Sequence, residues 1–455
     1  MPKHWMTRRE LLRGALAAGG GLAGLSLVSP FMDQALASDG SPLESRNFIF
    51  CYFSGGWDIL LGLDPRDPQK FRDDNRADTL IQPAYDLQDE VNLGLVETGV
   101  DGMVFGPYIG KLAEHAHRLA VVRGMSMDTL THDAGRRRFL TGKPPSGILA
   151  RGSSLSAVLT AQLGEDTPIP NISGNVESFN VDQPTFASAL GVANVEDLLR
   201  SLREGEEGLG SLEKTKVQEL LNLFQECQRE RRSKGRVLAH ESRRAAVDLV
   251  SSGLDGFFDF QAPTSEMVAL KAKYGMDKSM DSPEALSAMA VTAITNQISR
   301  CASIRVAFGL DTHFDNWLDE QGPQQQQGFD MMATMASDLA SRQYKDTSDS
   351  WLDHTTLVGF SEFSRTALLN SNSGRDHSLT NAAVLMGAGI RGGQILGASS
   401  DVGMTPQAMN LETGLVDQGG EIVRPEHIHR ALLHGLGITE DIADLRVDPL
   451  LALLS

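Results

Sequence analysis

Acidic and histidine side chains collect in a few short stretches that follow apolar runs. These are Gly55-Gly56-Trp57-Asp58, Thr131-His132-Asp133, Asp311-Thr312-His313, and Ser361-Glu362-Phe363-Ser364-Arg365-Thr366 with Gly374-Arg375-Asp376-His377. The chain has only 11 histidines, and three of them stand in these stretches beside acids. Oxygen and nitrogen donors converging from several loops are what a hard or borderline divalent cation requires. Such an ion can lower the pKa of a bound water and clamp the oxygens of an ester. A Ser or Thr nucleophile would need a base or a metal to activate it, and Thr131 is the hydroxyl at hand. Arginines hold anionic esters through paired N–H donors. Arg136, Arg137 and Arg138 share one helix, so at most one faces a site. Arg365 and Arg375 flank Glu362 and His377. They either serve the site or form ion pairs with Glu362 and Asp376.

The elements that must position these residues alternate along the chain. Continuous apolar runs at Asn47–Phe53, Leu119–Gly124, Ser303–Gly309, Thr355–Phe360 and Ala382–Gly387 read as buried strands. Helical patterns lie between or after them, at Pro283–Ser299 behind an Asp281-Ser282 cap, at Gly328–Arg342 and at Pro425–Gly435. This order predicts an α/β fold with a mostly parallel sheet flanked by helices. Sites in such sheets gather at the carboxyl ends of the strands, which is where the acid–histidine stretches fall. The charged segment at about 195–252 reads as a helical insertion with solvated faces. The Gln324–Gln327 run reads as a polar loop.

Composition narrows the partners. The 455 residues are 41% hydrophobic and 22% charged, ordinary values for a globular chain. Basic residues number 41 against 59 acidic, a net charge of −18, which argues against a nucleic acid or an anionic membrane surface held by charge. Cys51, Cys227 and Cys301 are scattered, without metal-site spacing, and read as buried thiols, one disulfide with a spare thiol being the alternative. The N-terminus reads as a targeting segment. Paired Arg8-Arg9 precede a mildly apolar stretch, Gly14–Val28, and an Ala35-Leu36-Ala37 cleavage site. This layout resembles a twin-arginine signal over residues 1–37, which predicts a periplasmic or secreted protein that meets the twin-arginine translocase. The apolar stretch is short for a spanning helix, and no second run is long enough to span a membrane.

Gly-Gly-Trp-Asp after the first strand, Asp311-Thr312-His313, Glu362-Phe363-Ser364-Arg365-Thr366 and Gly374-Arg375-Asp376-His377 together resemble a bacterial family of unknown function. Its members commonly carry twin-arginine signals and are grouped with the alkaline phosphatase and sulfatase superfamily. The resemblance runs from about Asn47 to Leu436. It implies that superfamily's α/β sandwich for residues 38–455, with one or two bound metals and hydrolysis of phosphate or sulfate esters. It implies a divalent ion (zinc, calcium, magnesium or manganese) held by Asp311, His313 and His377. Glu362 stands where phosphatases have an Asp-His pair, Asp58 resembles the first-strand aspartate, and Asp376 adds a carboxylate beside His377. The Thr131–Gly142 segment resembles the nucleophile helix, with the nucleophile position on His132 and the hydroxyl of Thr131 adjacent. A small anionic ester is the implied partner. The alternative is an exported binding or assembly protein that keeps the fold without catalysis, its partner another exported protein.

Overall fold

A computed structural model describes residues 43–88, 94–144, 146, 149–203, 216, 219–220, 252–277 and 279–455. Eight strands form the central sheet: β1 Asn47–Phe53, β2 Leu119–Ser126, β3 Asn171–Gly174, β4 Leu190–Val192, β5 Cys301–Ala307, β6 Thr355–Ser361, β7 Thr380–Gly387 and β8 Gln394–Leu396. Their order across the sheet is β8-β2-β7-β6-β1-β5-β3-β4. All ladders are parallel except those of β7, which runs antiparallel to both β2 and β6.

Every residue of β1 is buried, as its unbroken apolar run requires for a strand covered on both faces. Its side chains alternate between two cores. Ile49, Cys51 and Phe53 join one, which includes α5 (Pro283–Thr295) and α6 (Gln321–Ser341). Phe48, Phe50 and Tyr52 join the other, with α1 (His132–Thr141), α2 (Leu155–Leu163) and α7 (Pro425–His434). Two further helices, α3 (Val195–Leu202) and α4 (Ser265–Tyr274), pack at the α5 side. The structure is thus a mixed α/β fold around a large, mostly parallel sheet. Among the described residues no helix is long and apolar enough to cross a membrane.

Several boundaries differ from the sequence expectations. Helix α5 starts as anticipated, with the Ser282 hydroxyl accepting from the Ala285 N–H at 3.2 Å, but it ends at Thr295. Helix α6 begins at Gln321, so the glutamine run is helical and not a loop. The reason is that Gln325 is buried and works as a backbone substitute. Its amide accepts from the Asp58 N–H at 2.9 Å and donates to the Asp58 carbonyl at 3.1 Å. Of the helical segment expected at about 195–252, Val195–Leu202 is a helix and most of the remainder lies outside the described residues. Cys51 and Cys301 are buried free thiols; Cys227 lies outside the described residues.

The direction of β7 decides where the site sits. The other seven strands bring their carboxyl ends to one edge of the sheet, and the antiparallel β7 brings its amino end to that same edge. His377, which precedes β7, therefore meets Asp311 and His313, which follow β5.

Candidate metal centre

Three imidazoles and one carboxylate converge at that edge. Asp311 Oδ1 lies 3.3 Å from His132 Nε2, 3.1 Å from His313 Nε2 and 3.4 Å from His377 Nε2. The ligand atoms of His132, Asp311 and His377 all fall within 4.8 Å of one another. His313 Nε2 stands 2.9 Å from His377 Nε2. The Asp311 side chain is 51% exposed and the three rings are partly so, which leaves the cluster open to solvent.

Each ring is fixed from behind. His132 Nδ1 meets Glu362 Oε1 at 2.9 Å, His313 Nδ1 meets Asp376 Oδ1 at 2.9 Å, and His377 Nδ1 meets the Leu130 carbonyl at 2.6 Å. A carboxylate or carbonyl can only accept, so each Nδ1 carries the proton. Where such a ring is neutral it presents a lone pair at Nε2; where it is protonated, Nε2 donates to Asp311 instead. Two such lone pairs at 2.9 Å repel unless a cation or a proton lies between them. Phe363 forms the floor, its buried ring 4.8 Å from that of His132 and 4.1 Å from that of His377.

Local sequence explains these positions. His132 opens α1, and Gly135 one turn later lies against the Glu362 backbone, where an added Cβ would strike the Glu362 carbonyl. Only glycine lets the helix come close enough for His132 to reach Glu362. Gly55 ends the turn after β1 with φ +114°, and a Cβ there would stand 2.7 Å from Leu310 and Asp311 backbone atoms. Its N–H donates to Glu362 Oε1 at 2.9 Å, while the Ser361 hydroxyl donates to Oε2 at 3.0 Å.

Arg365 lies beneath the cluster. It donates to Asp311 at 2.8 Å and to the carbonyls of Gly55, Gly56, Leu310 and Arg375. Burial raises the Asp311 carboxyl, but the Arg365 hydrogen bond and charge, with His132, outweigh it and bring the pKa to about 2. The hydrogen bond to Glu362 raises the pKa of His132 despite burial. Burial lowers that of His377, and the Arg365 charge adds to it. The hydrogen bond from His313 lowers that of Asp376.

The structure thus brings together His132, Asp311, His313 and His377, with Glu362, Asp376 and Arg365 around them. It does not bring in Asp58 or Arg375. Those two pair at 3.0 Å with both side chains fully buried, and Trp317 closes them off, its Nε1 donating to Asp58 at 2.9 Å. Thr131 is exposed at the N-cap of α1, its hydroxyl 3.5 Å from that of Thr129. Sequence reasoning missed the ring-holding role of the Leu130 carbonyl and the floor made by Phe363. Phe363 was visible only as the residue standing where a histidine is expected.

The chain belongs to the DUF1501 family, whose model, described as a protein of unknown function, matches residues 45–439. No curated protein matches it.

Proposed function

We propose that the protein is an exported, metal-dependent hydrolase of phosphate or sulfate esters, on a sulfatase-like version of the α/β fold. The single observation that carries the metal is the facing pair of histidine nitrogens, His313 Nε2 and His377 Nε2, beside Asp311. Three imidazole nitrogens around one carboxylate are held together either by protons or by a shared cation, and the donor set fits a cation. His132, Asp311, His313 and His377 would hold the ion. When bound there, a divalent ion supplies an acidic water and polarises an ester oxygen.

The remaining work belongs to the protein. Glu362, Asp376 and the Leu130 carbonyl hold the rings so that their Nε2 atoms point outward. The open N-terminus of α1 at His132 favours an anionic group beside the cluster. Arg365 spends its donors on Asp311 and on backbone carbonyls, with Nη1 also 3.4 Å from His313 Nε2, so it orders the cluster and leaves the anion to the helix end. Among the described residues the Thr131 hydroxyl bonds to no base, its side-chain hydrogen-bond partner being the Thr129 hydroxyl; this favours water over a covalent hydroxyl nucleophile. The same feature keeps the binding-protein reading as the second one.

Export rests on the Arg8-Arg9 segment. Replacing both by Lys is expected to leave full-length protein in the cytoplasm; normal export of that variant would remove the twin-arginine claim. For catalysis, chelator-stripped protein is assayed on aryl phosphates and aryl sulfates with and without added divalent ion. Ion-dependent hydrolysis that disappears in His132→Ala supports the hydrolase. Tight ion binding with no turnover of any ester supports the binding protein instead.

A further inference from the structure

We infer that the cluster selects a borderline transition ion of the zinc type over calcium and magnesium, an inference that rests on the metal reading above. The donors at the cluster decide between these ions. Calcium takes six to eight oxygens and magnesium a near-octahedral shell of oxygens, drawn from carboxylates, carbonyls and water. At this sheet edge most of the oxygens are already engaged. Glu362 is 1% exposed, and its two carboxylate oxygens serve Gly55, Ser361 and His132. Asp376 meets the outer nitrogen of His313 at 2.9 Å and accepts from Asn370 at 3.1 Å, both at Oδ1. Asp58 is sealed in its pair with Arg375. The carbonyls of Gly55, Gly56, Leu310 and Arg375 all accept from Arg365. What remains converging on the open point is three imidazole Nε2 atoms and the Asp311 carboxylate, which Arg365 also holds at 2.8 Å. Three nitrogens and one oxygen suit four-coordinate zinc and its neighbours in the first transition row, and they offer a hard ion few protein oxygens.

This assigns Glu362 and Asp376 as positioning residues that act through the rings they hold. Carboxylates behind metal-bound histidines fix ring orientation and tautomer, and their loss typically costs 10–100-fold in metal affinity.

The test uses the mature full chain, stripped with chelator and titrated separately with zinc, cobalt(II), magnesium and calcium. Melting temperature and the visible absorption of cobalt are the readouts. The expected result is one equivalent of zinc or cobalt bound, a raised melting temperature, and a cobalt spectrum of a low-coordinate, nitrogen-rich site. Magnesium and calcium should do nothing at the same concentrations. Glu362→Gln should weaken zinc binding about 10–100-fold. Asp376→Asn, at a partly exposed side chain that folding tolerates, should weaken it in the same sense and keep the apoprotein melting point. Calcium or magnesium stabilising as well as zinc would overturn the inference and leave a metal centre standing. Unchanged zinc affinity in both variants would overturn the positioning roles. No response to any ion would overturn the metal reading together with the inference.

Discussion

Two constellations of the same residue types lie at the same edge of the sheet. In one, Asp58 pairs with Arg375 at 3.0 Å, both fully buried, with Arg375 also lying 4.6 Å over the Trp317 ring. In the other, Asp311 faces Arg365 and three histidines, half open to solvent. Both follow strands, both contain an aspartate and an arginine, and two of their arginines are ten residues apart in sequence. The first is closed: carbonyls of Thr366, Gln82 and Pro83 take the remaining N–H groups of Arg375. The second leaves nitrogen lone pairs aimed at one point. Residue type and strand-end position do not separate a site from its scaffold; what separates them is which donors and acceptors are left over. The scaffold pair also serves the site. It pins the Gly374–His377 strap to the loop after β1, and that strap carries both Asp376 and His377.

The largest expected effect breaks the closed pair. Asp58→Asn leaves the Arg375 guanidinium buried without its counter-charge, which costs about 3–5 kcal/mol. Urea unfolding of the variant checks this; a loss under 1 kcal/mol would mean that the pair is not the anchor described.

The open constellation should respond to ligand instead. A divalent ion at a hundred-fold excess over its dissociation constant stabilises the native state by about 2.7 kcal/mol. A His313→Ala, His377→Ala double variant should lose that gain while folding normally without metal. Equal stabilisation of the double variant would place the ion elsewhere.

A third change tests how α1 reaches the centre. Gly135→Ala puts a methyl group against the Glu362 carbonyl. Overpacking of this kind costs about 1–3 kcal/mol. It should also push His132 away from Glu362 and weaken ion binding, unlike a destabilising substitution in the far core. Unaltered ion affinity would show that the close approach of α1 is not needed.

The histidines sharpen the contrast further. His429 on α7 is buried against Phe139, at 5.9 Å between rings, and is no part of the open cluster. Burial and then the Arg138 charge bring its pKa down to about 3. An unfolded histidine titrates near 6.5, so between those values the unfolded chain binds the extra proton. Stability from this residue is intact above about pH 6.5 and is lost as pH falls toward 3, by about 1.4 kcal/mol per unit. His429→Gln should flatten the pH slope of urea unfolding between pH 6 and 4.5. An unchanged slope would mean that His429 is protonated in the native state.

How much of this was legible in the sequence follows physical lines. Strands β1, β5 and β6 were readable within two residues because burial on both faces leaves a continuous apolar run. The short strands β3, β4 and β8 were not, since Asn171-Ile172-Ser173-Gly174 and its like carry too few apolar residues to stand out. Asp311, His313 and His377 were legible because chemistry at strand ends is rare enough to notice. Asp58, Glu362 and Asp376 looked like ligands because a sequence gives a carboxylate no direction. Only the Gly55 amide, the Asn370 amide and Arg375 reveal that these three acids face away from the open point. His132 was visible as the wrong residue at a nucleophile position, and its partnership with Glu362 depends on a glycine contact no spacing encodes.

Crystals of the zinc-soaked protein, measured at the zinc absorption edge, locate the ion itself. One anomalous peak is expected about 2.0–2.2 Å from the Nε2 atoms of His132, His313 and His377 and from an Asp311 carboxylate oxygen. A cluster without a peak, or a peak bound by Glu362, Asp376 or Asp58, would contradict this coordination.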